Sequence, residues 1–119
     1  MRDNNQIDTL LDLDGIIIEQ VGGYWTKFEV RKIEEVTEGI PHGIRYSLTL
    51  HNKHGERIVG FDNAHAIRIS KKELSTAYDH FHRYSNNNAV PYKFIDPYQL
   101  IKDFWLEVDK TLEILGVKK

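Results

Sequence analysis

The sequence predicts an α+β fold: a mainly antiparallel sheet of four to five strands with a long C-terminal helix packed on one face. Three observations lead there. Residues 24–33 and 44–50 alternate apolar and polar side chains with the two-residue period of half-buried strands. Gly22-Gly23 and the stretch His51-Asn52-Lys53-His54-Gly55 supply turn signals beside those strands. The strands come first, and the last part of the chain repeats apolar side chains at 3.6-residue spacing, as one helix face does.

The first element is a short helix over residues 5–11, with Ile7, Leu10 and Leu11 on one side. Ile16-Ile17-Ile18 opens a β-branched stretch that runs into the Gly22-Gly23 turn. In the strand at 24–33, Tyr24, Thr26, Phe28 and Val30 share one face, and Trp25, Lys27, Glu29 and Arg31 the other. A polar connection closed by Gly39, Pro41 and Gly43 leads to the strand at 44–50. There Ile44, Tyr46, Leu48 and Leu50 oppose Arg45, Ser47 and Thr49. The turn at 51–55, with His51 and His54 on its surface, returns the chain as a strand at 56–62. Residues 64–69 are read as continuing that strand after a bend, and Ser70 with Glu73 as a capping box opening a short helix. Residues 78–88 read as a polar loop rich in histidine and aromatic side chains, followed by a short strand at 90–95. Asp96 as N-cap, Pro97 at N1 and Gln99 at N3 then start the final helix, which Gly116 ends. Its stripe is Leu100, Ile101, Phe104, Trp105, Val108, Leu112 and Leu115.

Composition bounds the function. The chain has 119 residues, suited to one domain over 1–119, and a formal net charge of 16 − 18 = −2. Nucleic-acid binding therefore needs a local basic patch, because the whole molecule supplies no attraction. The absence of cysteine excludes disulfides, thiolate zinc sites and cysteine nucleophiles. The run Ile16-Ile17-Ile18 is far shorter than the ~20 residues that span a bilayer. The first residues show no apolar segment behind a basic start, so a cytoplasmic location away from membranes is expected.

There is no phosphate-cradling glycine loop, no His-Glu-x-x-His and no Gly-x-Ser-x-Gly. Two segments carry chemistry: Gly60-Phe61-Asp62-Asn63-Ala64-His65 and Tyr78-Asp79-His80-Phe81-His82-Arg83-Tyr84. If the second is extended, His80 and His82 point to one face. Two imidazoles there can act as general acid and general base near neutral pH. They can equally hold a divalent metal with Asp62 or Asp79 as third ligand. Arg83 adds a phosphate-binding cation and Tyr84 a phenol, a set suited to phosphodiester cleavage. The blander reading is a solvated His-x-His loop, with His65 on the rim of an Asx turn.

The ordered series Gly60 to His65, Asp79-His80-Phe81-His82, Pro91-Tyr92-Lys93-Phe94 and Asp103-Phe104-Trp105 resembles the TumE family of small toxins from type II toxin–antitoxin pairs. The likeness covers about residues 10–112. It implies a cytoplasmic toxin silenced by a cognate helix-turn-helix antitoxin and acting on RNA; separately, no cofactor is expected. Carried over residue by residue, its Asp-Asn pair falls on Asp62 and Asn63, with His65 just beyond, and its His-x-His on His80 and His82, followed by Arg83. Many members have glycine soon after the histidines, where this chain has residues 84–88.

The leading expectation is a metal-independent ribonuclease. His80 and His82 serve as acid and base, Arg83 stabilises the phosphate, Asp62 orients an imidazole, and Asn63, His65 and Tyr84 contact substrate. Two other classes stand beside it: a non-catalytic protein-binding module, which the negative charge favours, and a metal-dependent hydrolase or nucleotidyl-transferring toxin. Exposed strand edges are compatible with a homodimer.

Overall fold

A computed structural model describes residues 2–33, 43–63, 79–83 and 88–117. Helix α1 (Arg2–Leu11) leads into six strands: β1 (Ile17–Glu19), β2 (Trp25–Lys32), β3 (Ile44–His51), β4 (Arg57–Asp62), β5 (His80–Arg83) and β6 (Asn88–Pro91). Helix α2 (Pro97–Ile114) follows. The strands form one sheet in sequence order, each antiparallel to the next. The α+β class and the antiparallel sheet are as the sequence predicts, with six strands in place of four to five.

The two-residue period gives the sheet two unlike faces. One carries Phe28 and Val30, Ile44, Tyr46, Leu48 and Leu50, and Val59 and Phe61, all buried. Against these pack Leu100, Phe104, Val108 and Leu112 of α2, joined by Leu10 of α1. The ring of Phe104 meets Phe28 at 5.5 Å and 77° and Phe61 at 6.2 Å and 84°. Such edge-to-face contacts add to the burial of apolar area. We call this the helix face and the other the far face.

The ends of α2 follow the sequence closely. The Asp96 side chain accepts a hydrogen bond from the Gln99 N–H at 2.8 Å, and Pro97 sits in the first turn. At the other end Gly116 has φ +76°, its N–H bonds the Glu113 carbonyl, and the Val117 N–H bonds the Leu112 carbonyl. This Schellman arrangement satisfies two of the last carbonyls. Leu115 lies beyond the helix and is about half exposed, so the apolar stripe ends at Leu112.

Several expectations shift. The added strand is β5, which the sequence presents as a polar loop: four residues with one apolar side chain carry too short an alternation to announce a strand. The following strand is Asn88–Pro91, not 90–95; one further backbone bond, from the Tyr92 N–H to the Asp79 carbonyl at 3.0 Å, follows before the chain reaches the Asp96 cap of α2. Gly22-Gly23 belongs to a 3₁₀ turn, Val21–Gly23, rather than a two-residue hairpin. Gly22 is required there twice over: its φ is +69°, and a Cβ would lie 2.6 Å from Val117 Cγ1. The strand extension at 64–69 and the capping box at Ser70 lie outside the described residues.

His51 is not a turn residue on the surface. It ends β3 at a register shift, buried, with its ring stacked on Trp25 at 4.0 Å and 4°. Its Nε2 lies 2.8 Å from Thr49 Oγ1 and its Nδ1 3.3 Å from the Gly55 carbonyl, so Nδ1 carries the proton and Nε2 accepts from the hydroxyl. Burial is the main influence that lowers its pKa, and Arg57 and Lys27 add to it. A histidine whose folded pKa lies below its unfolded value of about 6.5 stabilises the neutral form. That stability is present above the unfolded pKa and is lost as pH falls through the folded one. Between pH 7 and pH 5, urea unfolding should show wild-type stability falling faster than that of His51→Gln, by at most about 1.4 kcal/mol per pH unit. Parallel pH profiles would contradict this account.

Candidate functional site

The pairing of β4 with β5 builds the site. Asp62 stands opposite His80, and Gly60 opposite His82. By the two-residue period, His80 and His82 both point to the far face, together with Asp62. Gly60 presents no side chain beside His82. His80 Nε2 lies 2.9 Å from Asp62 Oδ1, and His82 Nε2 lies 3.7 Å from Asp62 Oδ2. The two imidazoles meet at 4.5 Å and 78°. Both nitrogens are thus turned to one carboxylate, which takes a hydrogen bond from the His80 Nε2–H.

The three groups differ in access. The His80 side chain is 2% exposed, Asp62 15% and His82 23%. His80 is a held, interior group, and His82 is partly open to solvent. One ligand atom from each residue lies within 4.8 Å of the others, and among the described residues this is the one such group of three metal donors. Two imidazole nitrogens and a carboxylate oxygen are a donor set that takes divalent transition metals. The same groups without metal can hold and pass a proton.

Arg83 does not join this cluster, which corrects the expectation that it faces the same phosphate. It is one residue from His82, so it projects to the helix face, where its Nη2 donates to Glu107 Oε2 of α2 at 2.7 Å. Its guanidinium also lies 5.4 Å from the Phe81 ring centroid. Asn63 is likewise turned inward. Fully buried, it accepts from the Tyr46 N–H at 3.0 Å and donates to the Ile44 carbonyl at 2.9 Å. It closes backbone bonds that β4 leaves open past Asp62. Asn63→Ala strands both backbone groups in the interior and should cost about 2–4 kcal/mol in urea unfolding. A cost under about 1 kcal/mol would rule out this role.

Asp79, the other candidate ligand, is also buried and accepts from the Tyr46 hydroxyl at 2.8 Å. Burial and that carboxylate push the Tyr46 phenol well above its ordinary pKa. His65 and Tyr84 lie outside the described residues. Ser47 is a neighbour that sequence reading passed over: it stands directly across from Asp62 on β3. The signal was in the hairpin, since pairing through the turn after His51 brings these two positions together.

Fold and site together define a small α+β protein that carries a histidine–carboxylate cluster on the sheet face opposite its long helix. The sequence model of the family described as toxin TumE matches residues 18–112, most of the chain. The protein therefore belongs to the TumE toxin family, as the toxin of a toxin–antitoxin system with an antitoxin as its partner. No curated protein and no solved structure gives a significant match. Among the described residues, no helix is long and apolar enough to cross a membrane.

Proposed function

We propose that this toxin is a single-domain cytoplasmic ribonuclease whose reacting groups are Asp62, His80 and His82, and that a helix-turn-helix antitoxin silences it. The observation that carries the reading is the convergence of two Nε2 atoms on one carboxylate, with one imidazole at the surface. In this reading His82 meets the substrate. As the 2′-oxygen of RNA attacks phosphorus, His82 takes its proton, the bond to the 5′-oxygen breaks and that oxygen is protonated by water, while the interior His80 acts through Asp62, which both imidazoles face. Asp62 holds His80 in the tautomer with the proton on Nε2 and stabilises it when charged. Arg83, tied to Glu107 on the helix face, has no part in this step.

A second reading is metal-dependent phosphodiester hydrolysis, favoured by the spacing of the three donor atoms. Here the same residues would hold the ion, which supplies Lewis acidity and an activated water. The test compares growth arrest and RNA decay in cells producing wild type, His80→Ala or His82→Ala, and repeats cleavage in vitro with EDTA. Loss in both variants with EDTA-resistant cleavage supports the proton-transfer reading. EDTA-sensitive cleavage restored by a divalent ion supports the metal reading. Full toxicity and RNA decay in both variants would remove the cluster from the chemistry.

A further inference from the structure

We propose that Trp25 and Glu19 form a guanine-binding slot that holds one base of a single-stranded RNA on the same sheet face as the Asp62–His80–His82 cluster. The proposal rests on the reading that the substrate is RNA, and it names a base that the toxin selects.

The register places Trp25 between two neighbours on the far face, His51 of β3 on one side and Glu19 of β1 on the other. The His51 ring covers Trp25 face to face, at 4.0 Å between centroids and 4° between planes. A ring covered in this way by its partner on β3 turns its second face toward β1. His51 is itself held in place, with Thr49 Oγ1 at one ring nitrogen and the Gly55 carbonyl at the other. Trp25 is therefore a half-buried platform fixed on folding, and little of its freedom is left to lose when a ligand binds.

Beside that platform is a cavity of about 310 Å³, lined by Ile17, Glu19, Gln20, Gly23, Tyr24 and Trp25. Ile17 is on the far face and 57% exposed, an apolar surface for a ring to cover. The Gln20 N–H bonds the Tyr24 carbonyl at 2.7 Å. By the alternation of an antiparallel ladder, Glu19 and Trp25 are then the closer, non-hydrogen-bonded kind of pair. A base stacked on the second face of Trp25 lies over β1, within reach of the Glu19 carboxylate. Unpaired bases of RNA are bound in this manner, stacked on an aromatic ring and hydrogen-bonded along the Watson–Crick edge. An ionised carboxylate only accepts, so it favours the base that offers two adjacent donors on that edge. Guanine does, through N1–H and N2–H, whereas each of the other bases offers one. Stacking is worth about 1–3 kcal/mol per base and needs no unpaired cation, which suits a chain of net charge −2. Across the sheet, Lys27, Thr49, Gly60 and His82 stand in one row, and Trp25 is two residues from Lys27 on the same strand. At about 4.8 Å between strands the slot lies about 16 Å from His82, a span that a few nucleotides of a bound single strand cover.

The test is fluorescence anisotropy with two labelled RNA hexamers, one of uridine alone and one with a single guanosine at its third position. Both carry 2′-O-methyl groups throughout, which block attack by the 2′-oxygen, and binding is measured in EDTA. Wild type should bind the guanosine hexamer about tenfold more tightly than the uridine one. Trp25→Ala should weaken binding of the guanosine hexamer about tenfold, the loss of one stacked base, with Trp25→Phe in between. Glu19→Gln should leave the uridine hexamer unchanged and bring the preference for guanosine to within about twofold, because its amide sets a donor against a donor. Circular dichroism checks that each variant is folded. Glu19 is exposed on the edge strand, so its variant reports even if Trp25→Ala does not fold. Equal wild-type affinity for the two hexamers would overturn the slot. So would an undiminished guanosine preference in Glu19→Gln, or unchanged affinity in folded Trp25→Ala. Failure of wild type to bind either hexamer would also overturn it; if that protein still degrades RNA the ribonuclease reading stands alone, and if it does not both fall. Guanosine-selective, Trp25-dependent binding by a wild type that leaves RNA intact would uphold the slot and remove the ribonuclease reading.

Discussion

Asp62→Asn is expected to reduce RNA cleavage about 10²- to 10⁴-fold while the protein stays folded. Asparagine has nearly the shape of aspartate, and its amide oxygen can still accept from His80 Nε2, now 2.9 Å from Asp62 Oδ1. The amide then turns its NH₂ toward His82, where Asp62 Oδ2 now stands 3.7 Å from Nε2. The charge that stabilises an imidazolium disappears, and a donor replaces the acceptor facing the exposed histidine. Initial rates on a short RNA, with urea unfolding in parallel, separate the two effects. A variant that cleaves within a few-fold of wild type would show that the carboxylate has no part in the reaction. So would one whose loss of activity merely tracks a loss of folded protein.

Phe104→Ala is expected to have the largest effect on stability, about 3–5 kcal/mol. The ring is fully buried in α2 and touches Phe28 and Phe61 on the sheet and Trp105 on its own helix. Removing it opens a cavity between layers that a rigid sheet and an 18-residue helix cannot close. A domain of this size has roughly 5–15 kcal/mol in total, so the variant should be close to unfolding at 37 °C. Urea titration of wild type, Phe104→Leu and Phe104→Ala provides the check, with leucine intermediate. A cost below about 1.5 kcal/mol for alanine would mean that the helix is not anchored through this ring.

How much of this was legible in the residues depends on what each element buries. Strands β2 and β3 each bury one face against α2, so their alternation marked both the elements and their inward side chains. Helix α2 announced itself by its stripe and by the chemistry of its ends, Asp96, Pro97 and Gly116. Strand β5 did not, because its two far-face positions are histidines and its helix-face positions are Phe81 and Arg83; no apolar period shows. Its pairing with β4 is non-local, and a single sequence carries no record of it. The same gap explains the site. That His80 and His82 share a face followed once the segment was taken as extended, and Asp62 was named beside them. That Arg83 turns away to Glu107 follows from the same period and was missed because four neighbouring residues were treated as one loop. Asn63 was read as a substrate contact because the family likeness places an Asp-Asn pair on Asp62 and Asn63. Here the burial of its side chain depends on the carbonyl and N–H of β3 that only the sheet brings near.

The four residues of β5 alternate between the histidine–carboxylate cluster and the helix face: His80 and His82 to one side, Phe81 and Arg83 to the other. A single residue inserted or deleted before His80 that slipped this strand by one step would push both imidazoles toward α2 and turn Phe81 out to solvent. Connections on either side of β5 can therefore change length freely only if the step across from Asp62 and Gly60 is preserved. Within those four positions, tolerated variation is confined to substitution.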